Sequence, residues 1–247
     1  MDLSSGNGNA ATRTPPEQGK SSPIDFHDQL ASSWEGNYRN KAFLSRIEAM
    51  DEALGERDLY GENWLDAGCG SGTLTRWLAG RGAKATGVDG APGMVRVAKE
   101  MAKSQGYENS MHFEVANVGA LPFADGSFDG VLCSSVLEYA EVPDDYLKEI
   151  ARVTRPGGSL LISVPNAESV VRLGLRISFQ LTNMIGRPRP QYMAHSHHQY
   201  SRSQFSALLR AHGYQSDYTA AFGSGMPKWL RGSSWFGRLL VFRADKT

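Results

Sequence analysis

Apolar and polar positions divide this chain into stretches of different texture. Residues 1–23 are rich in Ser, Gly, Asn, Thr and Pro, with Leu3 as the one aliphatic residue larger than alanine after Met1. Such a stretch cannot bury enough apolar area to offset the entropy of ordering it, so a disordered tail is expected. From Ile24 the pattern becomes helical. Phe26, Leu30, Ala31 and Trp34 recur on one face, then Phe43, Leu44, Ile47 and Met50 do so again, which predicts two helices within 24–58. Next come short apolar runs that read as strands: Asn63–Ala67, Ala83–Val88, Met111–Ala116, Gly130–Cys133 and Ser159–Val164. Amphipathic segments separate them, at Leu74–Ala79, from Gly90 to about Ser104, and at Asp144–Val153. In the last, Tyr146, Leu147, Ile150 and Val153 share a face while Lys148 and Glu149 point outward. Strand–helix alternation from 63 to 164 implies a parallel sheet with helices on both faces. Ser201-Arg-Ser-Gln204 is a capping box whose helix ends at Gly213. Runs Tyr214–Phe222 and Arg238–Ala244 close the chain as an antiparallel pair, making seven strands in one domain over 24–247.

Two segments interrupt this rhythm. Segment 165–200 holds an amphipathic stretch, Val170–Ile185, with Arg172 and Arg176 among Leu173, Leu175, Ile177, Phe179 and Leu181. Arg187, Arg189 and the cluster His195-Ser-His197-His198 follow. Segment 223–237 carries Met226, Trp229, Leu230, Trp235 and Phe236, more apolar area than a plain loop needs.

Composition narrows the function classes. Twenty-six basic residues balance 26 acidic ones, so no global field exists to hold nucleic acid. No apolar run reaches about 18 residues, so no transmembrane helix is expected. The N-terminus lacks the apolar core of a signal peptide. Cys69 and Cys133 fall at strand ends with no CxxC pair, which reads as reduced thiols in a cytoplasmic protein.

The densest chemistry lies in Trp64-Leu-Asp-Ala-Gly-Cys-Gly-Ser-Gly-Thr73, a strand, a tight turn and the start of a helix. Gly68, Gly70 and Gly72 let the backbone turn and approach a ligand closely. Asp66 precedes them by two positions and would repel a pyrophosphate, but it suits an ammonium group. Asp89, 23 residues after Asp66, ends the second strand, where an acid can bind both hydroxyls of a ribose. G-x-G-x-G behind an acid resembles the class I S-adenosylmethionine (SAM) methyltransferases. Asn117-Val-Gly-Ala-Leu-Pro-Phe123, Ser134-Ser-Val-Leu-Glu-Tyr139 and Arg155-Pro-Gly-Gly158 extend the resemblance, which covers nearly all of 26–244. Its layout is most similar to small-molecule enzymes such as the ubiquinone-pathway O-methyltransferases.

The resemblance implies a Rossmann-like sheet with SAM as cofactor and S-adenosylhomocysteine as product. Asp66, Ala67, Gly68, Gly70, Asp89, Gly90, Met94, Asn117, Val118 and Ser134 would hold the cofactor, and Arg46 its carboxylate. Asn117 stands where the family usually has aspartate, and keeps a carbonyl acceptor for the adenine amino group. The helices over 24–58 would form a lid that includes Tyr38. Tyr139 replaces the histidine that usually follows Leu-Glu, so Glu138 is either a base or a structural group. Segments 165–200 and 223–237 would build the acceptor pocket, with Tyr38, Tyr139, His195 and Trp229 as contacts.

No proline-rich motif of nucleic-acid amino methyltransferases follows strand 4, and Cys133 follows Leu132 rather than proline. Balanced charge and an apolar pocket segment favour a small apolar or aromatic acceptor bearing a hydroxyl. N- and C-methylation, and SAM binding without catalysis, stay open. The arginines of 165–200 suit an anionic partner or a membrane surface. A histidine near neutral pKa can take a hydroxyl proton, and His197 and His198 are the candidates, with Glu138 next. Three clustered histidines could instead bind a metal, but no carboxylate accompanies them, so no metal site is assigned.

Overall fold

The computed structural model describes residues 22–34, 41–107, 110–184, 196–223, 228–230 and 233–247. Most of the expected tail, along with Tyr38 and His195, lies outside them. Helices α1 (Pro23–Trp34) and α2 (Lys41–Leu54) precede β1 (Asn63–Ala67), α3 (Thr73–Gly80), β2 (Lys84–Asp89), α4 (Pro92–Ser104), β3 (Met111–Val115) and β4 (Phe128–Ser134). Then come a 3₁₀ turn at Leu137–Tyr139, α5 (Pro143–Val153), β5 (Thr154–Pro165), α6 (Val170–Met184), α7 (Arg202–Ala211), β6 (Tyr214–Phe222), a 3₁₀ turn at Lys228–Leu230 and β7 (Leu239–Lys246). The expected strands recur within a few residues, β5 growing most. Its added Arg-Pro-Gly-Gly turn pairs Thr154 with Phe128 across an irregular register. Arg155 Nε donates to Asp129 Oδ1 there (2.6 Å), and Asn63 N–H donates to Oδ2 (2.8 Å).

The seven strands form one sheet in the order β3-β2-β1-β4-β5-β7-β6. The first five run parallel, and β7 pairs antiparallel with both β5 and β6. The closing strands do pair antiparallel as expected, but the last one inserts between β5 and β6.

Alternation along the strands builds two apolar layers. Leu65, Val131, Cys133, Leu160, Ile162, Leu240 and Phe242 face α5 and α7 through Leu147, Ile150, Phe205 and Leu209. Trp64, Leu132, Leu161 and Val241 face α2 and α3 through Met50, Leu54, Leu74 and Leu78. Residues one step apart thus serve opposite faces, which pins the register. The capping box opens α7: Ser201 Oγ accepts from Gln204 N–H while Gln204 Oε1 accepts from Ser201 N–H. Helix α1 docks on α4 through Ala31, Met94 and Val97, and Asp28 accepts the Gly93 N–H at the start of α4. Cys69 and Cys133 are buried free thiols, and burial pushes both thiol pKa values up. Among the described residues no helix is long and apolar enough to cross a membrane.

Candidate cofactor and acceptor site

Connections from β1 run to β2 on one side, while β4 lies on its other side. This reversal leaves a crevice outside the carboxyl ends of the parallel strands, the usual ligand position in such sheets. A cavity of about 1060 Å³ occupies it, walled by strand ends below and by α1 and α2 above.

The three motif glycines have different jobs. All have positive φ, 81° at Gly68, 52° at Gly70 and 77° at Gly72, where a side chain is strained. A methyl on Gly68 would overlap Val136 Cγ2, and one on Gly72 would stand 2.9 Å from Phe113. Those two are required by protein packing. Of the three, only Gly70 has room for a Cβ, which would make ordinary contact with Trp34 Nε1 of α1 at 3.6 Å; Gly68 and Gly70 both line the cavity. Arg76 braces the loop from beneath, donating to the Ser71 carbonyl (2.8 Å).

Two carboxylates define the electrostatics. Asp66 is buried at the end of β1, accepting from Thr75 Oγ1–H at 2.6 Å. Burial, and secondarily the Asp89 charge, push its carboxyl up to about 7. Asp89 accepts from Gly70 N–H and Ala91 N–H, both at 2.9 Å, and so ties the glycine loop to the start of α4. Burial raises its pKa too, with both backbone donors opposing.

Beyond Asp89, buried Met94 and Val118 give apolar walls. Asn117 is exposed, and its Oδ1 accepts from Gly119 N–H at 2.9 Å, closing a turn. Its carbonyl therefore already has one partner within the loop.

At the β4 end, Ser134 and Ser135 meet Ser163 of β5, with hydroxyl oxygens 3.0 and 3.5 Å from Ser163 Oγ. Ser135 has φ 58°, strained for a residue with a side chain. Glu138 is buried beside them and accepts from Ser196 Oγ–H at 2.9 Å, with Arg172 of α6 at 3.9 Å. Burial raises its pKa, opposed by Arg46, Ser196, Arg172 and Tyr139. Glu138 thus joins α6 and the 196–200 strap to the end of β4.

The strap also decides where the histidines go. His197 N–H donates to the Glu138 carbonyl, and Tyr200 bridges Asn166. In this extended segment Ser196 turns inward, so its neighbour His197 turns out and is exposed. The His198 ring meets the Ala140 carbonyl (Nε2 to O 3.0 Å). Neither His197 nor His198, the expected bases, is among the described residues that line the cavity. Trp229 is 80 % exposed and also off the wall, and Ala67 is buried behind the strand end. Arg46, Asp66, Gly68, Gly70, Asp89, Gly90, Met94, Asn117, Val118, Ser134, Glu138 and Tyr139 do line it. Sequence reading passed over His27, Ser135 and Ser163, which line it as well. His27 shares the Ala31–Trp34 stripe at helical spacing, and Ser163 sits at a strand end beside the reversal point; both signals were present.

The fold and crevice define a Rossmann-like domain with a cavity at its strand ends. A family model described as a methyltransferase domain matches residues 65–162. "Methyltransferase GfsG" of Streptomyces halstedii is 38% identical over 128 residues, 51% of this chain and 45% of that protein. The ubiquinone biosynthesis O-methyltransferase of Sodalis glossinidius is 30% identical over 175 residues, 64% of this chain and 69% of that one. The chain spans about half to two thirds of the length of the first curated relatives it matches. Magnesium protoporphyrin IX methyltransferase of Synechocystis, solved with bound S-adenosylhomocysteine, superposes with TM-score 0.66 at 19% identity, covering 90% of this chain and 98% of that one. The chain belongs to the SAM-dependent methyltransferases.

SAM is the cofactor of this family, and the cavity's donor set fits it. Carboxylates end β1 and β2, where a cationic ligand with a vicinal diol would meet them. Gly70 leaves a cradle that a Cβ would narrow, and Arg46 supplies a cation. Met94 and Val118 offer apolar surface to a flat base.

Proposed function

We propose that the protein methylates a hydroxyl on a small molecule with an apolar or aromatic body, with SAM as methyl donor. The observation that carries this reading is one cavity lined both by Asp66 and Asp89 and by Glu138, Tyr139, Leu175 and Phe222. Its volume of about 1060 Å³ lies at the top of the range of about 300–1,000 Å³ typical of small-molecule sites. That leaves room for an acceptor beside the cofactor, which speaks against binding without catalysis.

Asp66 would meet the cofactor's ammonium and Arg46 its carboxylate. Asp89 would take the ribose hydroxyls, and Met94, Val118, Asn117 and Gly90 would hold the adenine. Gly68 and Gly70 would give the backbone its close approach, with Ala67 and Ser134 at the strand ends completing the set. When bound, the sulfonium supplies an already activated methyl group. The protein's work is therefore alignment of the acceptor oxygen and exclusion of water by α1 and α2. Met50, Leu175, Phe222, Leu239 and Val241 give the acceptor end an apolar wall, which supports an apolar body. Tyr139 forms its polar edge.

A peripheral lipid contact is consistent with α6. It exposes Val170, Val171, Leu173 and Ile177 while Leu175 and Arg172 line the cavity, so one helix would touch both an apolar phase and the acceptor.

Asp89→Ala should weaken SAM binding by about 1.5–3 kcal/mol, because charge-assisted hydrogen bonds to the ribose are lost. Unchanged affinity by calorimetry would sink the cofactor assignment. Incubation with SAM and a panel of phenols, read for mass gain of one methyl, tests the acceptor class.

A further inference from the structure

We infer that His27 of α1 is the catalytic residue that takes the acceptor's hydroxyl proton. The inference rests on the hydroxyl-acceptor reading above and concerns which side chain serves it.

His27 lines the cavity together with Ser134, Glu138 and Tyr139. Its ring stands edge-on to three aromatic rings of the same wall. Centroids lie 4.9 Å from Tyr139, 5.2 Å from Phe26 and 5.3 Å from Trp34. The imidazole is therefore held between α1 and the turn after β4, on the cavity wall. Its Nδ1 lies 2.7 Å from the Pro23 carbonyl oxygen. A carbonyl only accepts, so Nδ1 carries the proton and Nε2 is the basic nitrogen of the neutral ring. Backbone geometry thus fixes the tautomer and orients the ring, the two things a general base needs. Asp89 at the end of β2 is close enough to feel the His27 charge, and Asp28 follows on the same helix. Glu138 is less suited, because Ser196 and Tyr139 bind its carboxylate and Arg46 and Arg172 flank it. His197 and His198 lie off the wall.

The step balances. As the acceptor oxygen bonds to the methyl carbon, the carbon–sulfur bond breaks and its electron pair stays on sulfur. The hydroxyl proton passes to Nε2, leaving imidazolium, a methyl ether and a neutral thioether. Solvent later removes the proton.

The test uses 4-nitrocatechol, whose ionisation is visible by absorbance, added to the full chain saturated with S-adenosylhomocysteine. It is run below the probe's own first pKa. Wild-type protein should bind the probe and turn it to the coloured anion. His27→Gln and His27→Phe should bind it without that colour and keep S-adenosylhomocysteine affinity by calorimetry, which shows that α1 is still docked. With SAM in place of the product, both variants should methylate the probe about 10²–10⁴-fold more slowly, the usual worth of a positioned base. The inference is overturned if bound probe stays neutral in wild type, or if it ionises equally in both variants. Failure of wild type to bind the probe overturns the hydroxyl-aromatic reading and His27's role with it. Binding with unchanged ionisation in the variants overturns His27 alone.

Discussion

Replacing Asp66 by Asn probes the charge on which the cofactor end is built. In the folded chain the Asp66 carboxyl is raised from 3.8 to about 7, chiefly by burial, with the Thr75 hydroxyl opposing and Asp89 adding. Unfolding returns the carboxyl to water and to its ordinary value. Between those two pH values the native state holds a proton that the unfolded chain has released. Stability from this group is fully present below the unfolded pKa, and is lost as pH rises through the folded one. The whole shift corresponds to about 4 kcal/mol, and the part between about pH 5 and about pH 7 to roughly 2–3 kcal/mol. Asparagine keeps the shape and does not titrate. Urea unfolding of wild type and Asp66→Asn across that window should therefore show the wild-type advantage shrinking by roughly 2–3 kcal/mol as pH rises. The same group predicts proton release on SAM binding near about pH 6, because a docked cation favours the carboxylate. Calorimetry in phosphate and in a buffer of larger ionisation heat reads that proton. Parallel stability curves for the two proteins would refute the reasoning, since they would mean that Asp66 is not desolvated.

Other changes test the scaffold around the site. Gly68→Ala should destabilise by about 2–4 kcal/mol, from left-handed strain plus overlap with Val136. Adding Val136→Ala should restore the overlap part, about 1–2 kcal/mol, as coupling in a double-mutant cycle; zero coupling would contradict the packing role. Ser135→Gly should relieve the strain at φ 58° and raise unfolding free energy by about 1 kcal/mol, whereas a loss would show that the hydroxyl matters more. Ser201→Ala removes the α7 cap and should cost about 1 kcal/mol in chemical denaturation, with SAM affinity unaltered. Tyr214→Phe leaves the buried Thr154 hydroxyl, 2.8 Å from the Tyr214 oxygen, without that neighbour. It should lower stability by about 1–2 kcal/mol.

Much was determined by local sequence. Strand runs, the capping box at Ser201 and the acids ending β1 and β2 all follow from rules that act within a few residues, namely side-chain alternation, cap geometry and glycine's access to positive φ. Order within the sheet did not follow, because the insertion of β7 between β5 and β6 depends on pairing between strands far apart in the chain. The glycine motif was legible as a turn, but its division of labour was not. Only tertiary packing sets Val136 against Gly68 and Phe113 against Gly72 while leaving Gly70 on the cavity. The three histidines stood out by clustering, yet an extended strap hydrogen-bonded to Glu138 and Pro165 turns His197 outward. His27 looked like one more helix position. It reaches the cavity because α1 docks on α4 and lays its ring against Tyr139, 112 residues later in the chain. Motif chemistry is carried by neighbours in sequence and can be read there; a site assembled from separate elements exists only once burial of their apolar faces has brought them together.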